Sequence, residues 1–409
     1  MDDQVTGVPD PAPIRLRFDR TRKVIGAPLD DAQILAALAR LQLVTHPLDA
    51  QSVEVAVPSH RFDLRIEEDL IEEVARLHGY DRLPVRPPMA PAVMRGGEEG
   101  RRRLIDIKRL VAAQDFQEVI NYSFVDGQTD QMLTGIPAIR LLNPIAQTMD
   151  VMRTTLWGGM LGTLRSNLNR RASRIRLFES GRAFLADASR ESGPLQIKGI
   201  DQPMRLAMLA AGPAAPEQWG TPTRAVDFFD LKAHLAVLLG SRPVRYEAAL
   251  HPALHPGRSA RMLLGGQMLG WIGELHPAHQ RSLDLPGPVM LAEVDLAPLL
   301  QSDIPVFMPV SRFPPSIRDI ALVVDQSIPA ARIDGHLRSI AASNPAAKCV
   351  RNIRLFDEYR GKGLENKEKS LAFRIWMQDT ERTLEEAEVN AAVDSLVSGL
   401  ARQFNARLR

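Results

Sequence analysis

The order in which the hydrophobic period changes along residues 305–409 leaves few folds open to this chain. Residues 317–324 read as a strand, 330–343 as a helix, and 350–359 as a second strand closed by a Gly361-Lys362-Gly363 turn. Residues 369–377 are a third strand, in which Leu371, Phe373, Ile375 and Met377 alternate toward one face. Thr383 and Glu386 have the spacing of a capping box for a helix reaching about residue 403, and 406–409 form a short last strand. This βαββαβ order is that of the ferredoxin-like fold.

A chain of 409 residues is too long for one ordinary core, so several domains are expected. Residues 1–13, with Pro9, Pro11 and Pro13, read as a flexible tail. The proline-rich stretch 84–91, followed by Gly96, Gly97 and Gly100, marks a linker drawn at 89–100. It separates a small domain at 14–88 from a middle domain at 101–304. In the small domain, 14–18 alternates like a strand, and Asp30 or Asp31 caps a helix with Ile34, Leu35, Leu38 and Leu41 at helical spacing. Val53, Val55 and Val57 then alternate as a strand leading into an acidic helix, which predicts a strand-helix-strand-helix block. The middle domain reads as a helix at 101–114, a strand at 116–124, and a helix at 156–169. Two short strands around Gly181, a helix at 230–239 and a hairpin turned by Gly265-Gly266 follow. The chain is thus an α+β multidomain protein.

Composition narrows the partners. Fifty-one basic against 49 acidic residues leave +2, so any RNA contact must come from a local patch. The single cysteine, Cys349, excludes an intrachain disulfide and a cysteine-built zinc site. No apolar run approaches the ~18 residues of a membrane span, and the acidic start lacks the apolar centre of a signal peptide. A cytoplasmic protein is expected.

Four carboxylates stand out. Asp69, Glu72 and Glu73 fall on one helix face, and Asp63 lies one turn upstream beyond Pro58 and Ser59. All-oxygen donors of this kind suit Mg²⁺. Spacing alone also fits a solvated acidic helix start, which the helix dipole favours. A second cluster lies in the last domain, where Arg374, Trp376 and Gln378 face away from Phe373 and Ile375, beside Arg351, Arg354 and Phe356. Aromatics interleaved with arginines on a sheet stack bases and hold phosphates; the same residues also fit packing beneath helices. The basic run Arg165, Arg170, Arg171, Arg174, Arg176 reads either as a phosphate-binding or acidic-partner face or as a helix end. His234, His251, His255 and His276 lack metal-binding spacing and read as structural.

Three sets of motifs carry a resemblance. The first is Pro58-Ser-His-Arg-Phe-Asp63 with Glu67 to Tyr80. The second is Leu142-Asn-Pro-Ile145, Met152-Arg-Thr-Thr-Leu156, Phe178-Glu-Ser-Gly-Arg-Ala-Phe184, Phe229-Asp-Leu-Lys232, His255-Pro-Gly-Arg-Ser-Ala260 and Gly270-Trp-Ile-Gly-Glu-Leu-His-Pro277. The third is Arg318-Asp-Ile-Ala321, Leu355-Phe-Asp-Glu-Tyr-Arg-Gly361 and Gln378-Asp-Thr-Glu-Arg-Thr-Leu384. In this order they resemble the bacterial phenylalanyl-tRNA synthetase β subunit, from about residue 14 to the C-terminus. The resemblance implies a small winged-helix-like α/β domain, a non-catalytic class II synthetase-like antiparallel-sheet domain, and a ferredoxin-fold anticodon-binding domain. It implies an α₂β₂ phenylalanine–tRNA ligase that uses ATP and Mg²⁺, with the α subunit and tRNA(Phe) as partners. It also implies Mg²⁺ at Asp63, Asp69, Glu72 and Glu73, and it favours tRNA contact by Arg351, Arg354, Phe356, Arg374 and Trp376.

Absent motifs agree with a non-catalytic role. No Arg-x-Glu follows Phe178–Phe184, and no Gly-rich segment ends in Asp-Arg or Glu-Arg. Their lack also argues against a one-chain synthetase. Members of the family carry an oligonucleotide-binding-type module and an editing domain ahead of the matching part, and neither is in this sequence. An alternative is therefore a truncated non-catalytic paralogue acting as an RNA-binding or scaffold protein.

Overall fold

The structure, a computed structural model, describes residues 11–91, 93, 96–307, 309–365 and 367–409. Most of the tail expected at 1–13 lies outside the described residues. Two compact units are present, one ending at Gly96 and the other running from Gly97 to Arg409.

In the first unit an antiparallel sheet orders Ile14–Arg17, Ser52–Ala56 and Val44–Asp49 side by side. Helices Phe18–Ile25, Asp31–Arg40 and Glu67–His78 complete it. Leu16, Ile34, Leu38, Val55 and Leu70 are fully buried between them. Asp30 caps its helix by accepting from the Gln33 amide at 2.6 Å, while the Gln33 side chain accepts from the Asp30 amide at 2.9 Å. Two elements depart from the strand-helix-strand-helix expectation. Helix Phe18–Ile25 is only eight residues long and buries only Phe18 and Thr21, with Ile25 packed against the core. Strand Val44–Asp49 is an edge strand, where Pro47 is tolerated and alternation is weak.

The second unit holds a seven-stranded sheet. Its spatial order is Val244–Ala248, Leu254–Leu264, Gln267–Leu275, Val289–Asp295, Met204–Ala211, Ile175–Arg182 and Gln117–Glu118. All pairings are antiparallel except the last, which is parallel. Alternate residues of each central strand face two cores. Met208, Phe178 and Met290 pack under helices Leu104–Ala112 and Phe228–Leu239. Leu209, Leu177 and Leu291 pack under helix Trp157–Asn169. The alternation over 116–124 does not make one strand, because only Gln117–Glu118 and Phe124–Val125 pair. Gly181 does not break its strand either; Ile175–Arg182 is continuous.

At the C-terminal end an antiparallel sheet orders Val350–Tyr359, Glu368–Met377, Ser316–Asp325 and Arg407–Leu408. Helices Ala330–Ser343 and Glu386–Phe404 cover one face, burying Ile320, Leu322, Leu371, Phe373 and Ile375. This is the βαββαβ fold read from the sequence. The last helix starts later than Thr383: Glu385 is its cap residue, and Glu388 accepts from the Glu385 amide at 3.0 Å. Among the described residues no helix is long and apolar enough to cross a membrane.

Candidate functional site

The face of the C-terminal sheet opposite its helices gathers most of the arginine and aromatic residues singled out above. Cross-strand register pairs Arg374 with Asp319 on one side and Arg354 on the other, and Trp376 with Ile317 and Asn352. A bulge between Leu355 and Asp357 turns Phe356 out, 48% exposed, and the Arg374 guanidinium lies 5.0 Å from its ring centre. Asp319 accepts two bonds from Arg374 at 2.8 and 2.7 Å, which lowers the Asp319 carboxyl below its usual range and fixes the guanidinium plane. Trp376 is half-buried and Arg354 exposed. Arg351 sits at a second irregularity, where its Nε donates to the Gln378 carbonyl at 2.9 Å. Gln378 is drawn away from the face, its Nε2 donating to the Phe313 carbonyl at 2.5 Å. Arg354, Phe356, Arg374 and Trp376 thus share one surface, with Arg351 at its end.

The four carboxylates of the first unit lie on and just before helix Glu67–His78, but each has a different occupation. Arg61 stands between Asp63 and Glu73, donating to Asp63 at 3.0 and 2.7 Å and to Glu73 at 2.7 Å. The guanidinium lowers the Asp63 carboxyl below its usual range. Glu73 also pairs with Arg76. Asp69 accepts from the amides of Arg65 and Ile66 at 2.7 and 2.9 Å, closing the helix start. Glu72 is exposed. Among the described residues, no three His, Cys, Asp or Glu side chains are grouped to hold a metal ion. The donor chemistry suits Mg²⁺, but the arrangement does not form one donor set, because an arginine already supplies the positive charge.

The middle sheet carries a buried polar network that sequence reading missed. Arg153 donates to Glu179 at 2.6 Å, with side chains only 6% and 3% exposed. Its Nε also donates to the Arg182 carbonyl at 2.9 Å. Gly181 leaves room for this guanidinium; a Cβ there would fall 2.2 Å from Arg153 Nη2. Asp130 accepts from the Thr154 amide and hydroxyl at 3.0 and 2.6 Å, and Glu293 from the Thr155 hydroxyl and Leu156 amide at 2.9 and 2.7 Å. Arg205 completes the set, 2.7 Å from Glu293. The motif Met152–Leu156 is therefore a hub clamped to three carboxylates, and the motif around Glu179 is its partner. A sequence signal was present: Arg176 and Glu179 stand among the apolar residues Ile175, Leu177 and Phe178, and charges buried in such company demand internal partners. With Arg153 and Arg205 neutralised in place, neither is free to take a phosphate.

Three family models match successive parts of the chain. They are the tRNA synthetase B5 domain over residues 14–80, the phenylalanyl tRNA synthetase beta chain CLM domain over 83–296, and the ferredoxin-fold anticodon binding domain over 311–409. Similar curated proteins include the phenylalanine–tRNA ligase beta subunits of Burkholderia pseudomallei, 45% identical over 415 residues, and Ralstonia nicotianae, 44% over 414. That of Bordetella parapertussis is 42% identical over 417 residues. Each match covers 100% of this chain and 51% of the relative, so the chain spans about half the length of the curated relatives it matches. By its middle domain, and by similarity along its whole length, the chain belongs to the phenylalanyl-tRNA synthetase beta chain family.

Proposed function

We propose that this chain acts within a phenylalanine–tRNA ligase that attaches L-phenylalanine to tRNA(Phe) at the expense of ATP. In this reading it assembles with an α subunit as α₂β₂, the α subunit performs the chemistry, and this chain supplies structure and tRNA contact. The observation that carries the reading is the shared open face of Arg354, Phe356, Arg374 and Trp376, in a segment matching an anticodon-binding model. Trp376 and Phe356 offer stacking surfaces for unpaired bases, Arg354 a cation for phosphate, and Asp319 keeps Arg374 in plane. The clamped Arg153 and Arg205 support a non-catalytic role for the middle domain. Mg²⁺ and ATP are used by the complex. In this reading Asp63, Asp69, Glu72 and Glu73 hold Mg²⁺, in competition with Arg61 for Asp63 and Glu73.

Binding of a labelled tRNA(Phe) transcript tests the tRNA role. Trp376→Ala should weaken it by about 1–3 kcal/mol, the usual cost of losing one base–aromatic stack, with the thermal midpoint nearly unchanged. Equal affinity for variant and parent would remove this face from tRNA recognition.

A further inference from the structure

Residues 211–226 form a loop with a tightly built neck. Arg176 is 5% exposed, and its guanidinium donates to backbone carbonyls. Nη1 donates to Ile175 and Ala211 at 3.2 and 3.0 Å, and Nη2 to Pro213 and Ala214 at 2.8 and 3.2 Å. Gly212 turns with φ +82°, where a Cβ would lie 2.0 Å from the Ser173 carbonyl oxygen. Across the neck the Ala214 amide donates to the Arg224 carbonyl at 2.9 Å, and the Val226 amide to the Gly212 carbonyl at 3.0 Å. Arg224 donates twice to Asp230, at 2.6 Å each. A neck this fixed ends in an unprotected tip: Trp219 is wholly exposed, at 103%.

Beside the neck, helix Trp157–Asn169 runs out into a turn that brings Ser173 against Gly212. Arg170 and Arg171 are exposed here, and Arg165 is exposed further back on the helix, beside a separate cavity lined by Asp126 and Asp130. Among the described residues none of the three has a carboxylate at ion-pair distance, whereas Arg174 pairs with Asp115. Among the described residues the Arg170 side chain bonds only to the Ser166 hydroxyl, at 2.9 Å. A cavity of about 360 Å³ lies between turn and neck, lined by Leu168, Pro213, Thr223, Leu285, Pro286 and Pro288 among others.

We propose that this turn and loop form a second RNA-binding surface, in which Arg170 and Arg171 hold phosphates and Trp219 stacks an unpaired base. Uncompensated arginines on a solvated turn favour a polyanion, and their planar forks suit phosphate oxygens. A bare indole on a braced loop stacks any base without sequence demand. The apolar cavity between turn and neck accepts a base that has left its stack. The proposal rests on the RNA role put forward above, but uses none of the residues of the C-terminal sheet.

The test is fluorescence anisotropy of a labelled tRNA(Phe) transcript with the whole chain at several salt concentrations. Parent, R170E/R171E, Trp219→Ala and Trp376→Ala are compared. R170E/R171E should weaken binding at least tenfold and reduce the salt slope by about two, one for each lost phosphate contact. Trp219→Ala should weaken binding severalfold at an unchanged slope. Its place at an exposed tip keeps the test decisive if the charge reversal unsettles the turn. If both variants bind like the parent while Trp376→Ala is weakened, this proposal falls and the open-sheet reading stands. If only the loop and turn variants are weakened, the open-sheet reading falls and this one holds. If R170E/R171E keeps RNA affinity but loses an α subunit in co-purification, the surface is a protein interface and the proposal is overturned.

Discussion

Arg153 and Glu179 meet at 2.6 Å inside the middle sheet, each less than a tenth exposed, and so join two motifs that lie 26 residues apart. Such a pair adds little net stability beyond a well-packed apolar equivalent, but removing one member strands a buried charge. Its effect is therefore on geometry: it holds the hub segment Met152–Leu156 against the strand Ile175–Arg182 and leaves Arg153 no freedom to bind an anion.

Breaking that pair from one side should be costly. Arg153→Met or Glu179→Leu is each expected to lower unfolding free energy by about 3–5 kcal/mol. The double variant should lose clearly less than the sum, measured by urea denaturation. Additive losses would show that the two charges do not depend on one another.

Histidine 251 makes stability depend on pH. Its ring lies between Trp157 and Trp271, 5.3 and 4.8 Å from their ring centres. Burial, helped by the charge of Arg205, pulls the imidazole down to about 4. The unfolded chain therefore takes up the proton first, from about pH 6.5 downward. The stabilisation is whole above that value and falls as pH drops toward 4. Between about pH 7 and 4.5 the parent should lose roughly 2 kcal/mol more than His251→Gln, taking 1.36 kcal/mol per pH unit and discounting for partial exposure. Parallel curves for the two proteins would contradict the assignment.

How much of this was legible follows from where periodicity survives. Strand Glu368–Met377 is half-buried, so Phe373 and Ile375 alternate cleanly with Arg374 and Trp376, and both the fold and the open face could be read. Helix Phe18–Ile25 is too short for its pattern to be told from the strand before it, and strand Val44–Asp49 buries too little to leave one. The bulge that turns Phe356 outward is a two-strand event, invisible in either strand alone. The carboxylate spacing was visible, but not that Arg61, within the same motif, reaches back to hold two of them. Likewise Arg153 and Glu179 could be seen as charges in apolar company, while their pairing needed the packed sheet.

Arg61 sets the terms on which a divalent cation could bind the acidic helix. With its pairs to Asp63 and Glu73 removed, Arg61→Gln should bind Mn²⁺, a spectroscopic stand-in for Mg²⁺, at least tenfold more tightly than the parent. Electron paramagnetic resonance titration reads this directly. Adding Glu73→Gln to Arg61→Gln should abolish the gain. Equal affinity for Arg61→Gln and parent would mean that the arginine does not compete for these carboxylates.

The most direct measurement is co-purification with a phenylalanyl-tRNA synthetase α subunit, followed by assays of phenylalanine-dependent ATP–pyrophosphate exchange and tRNA(Phe) charging. The account predicts a stable complex active in both assays, with this chain inert when tested alone. Exchange activity in the isolated chain, or failure to form any complex, would contradict it.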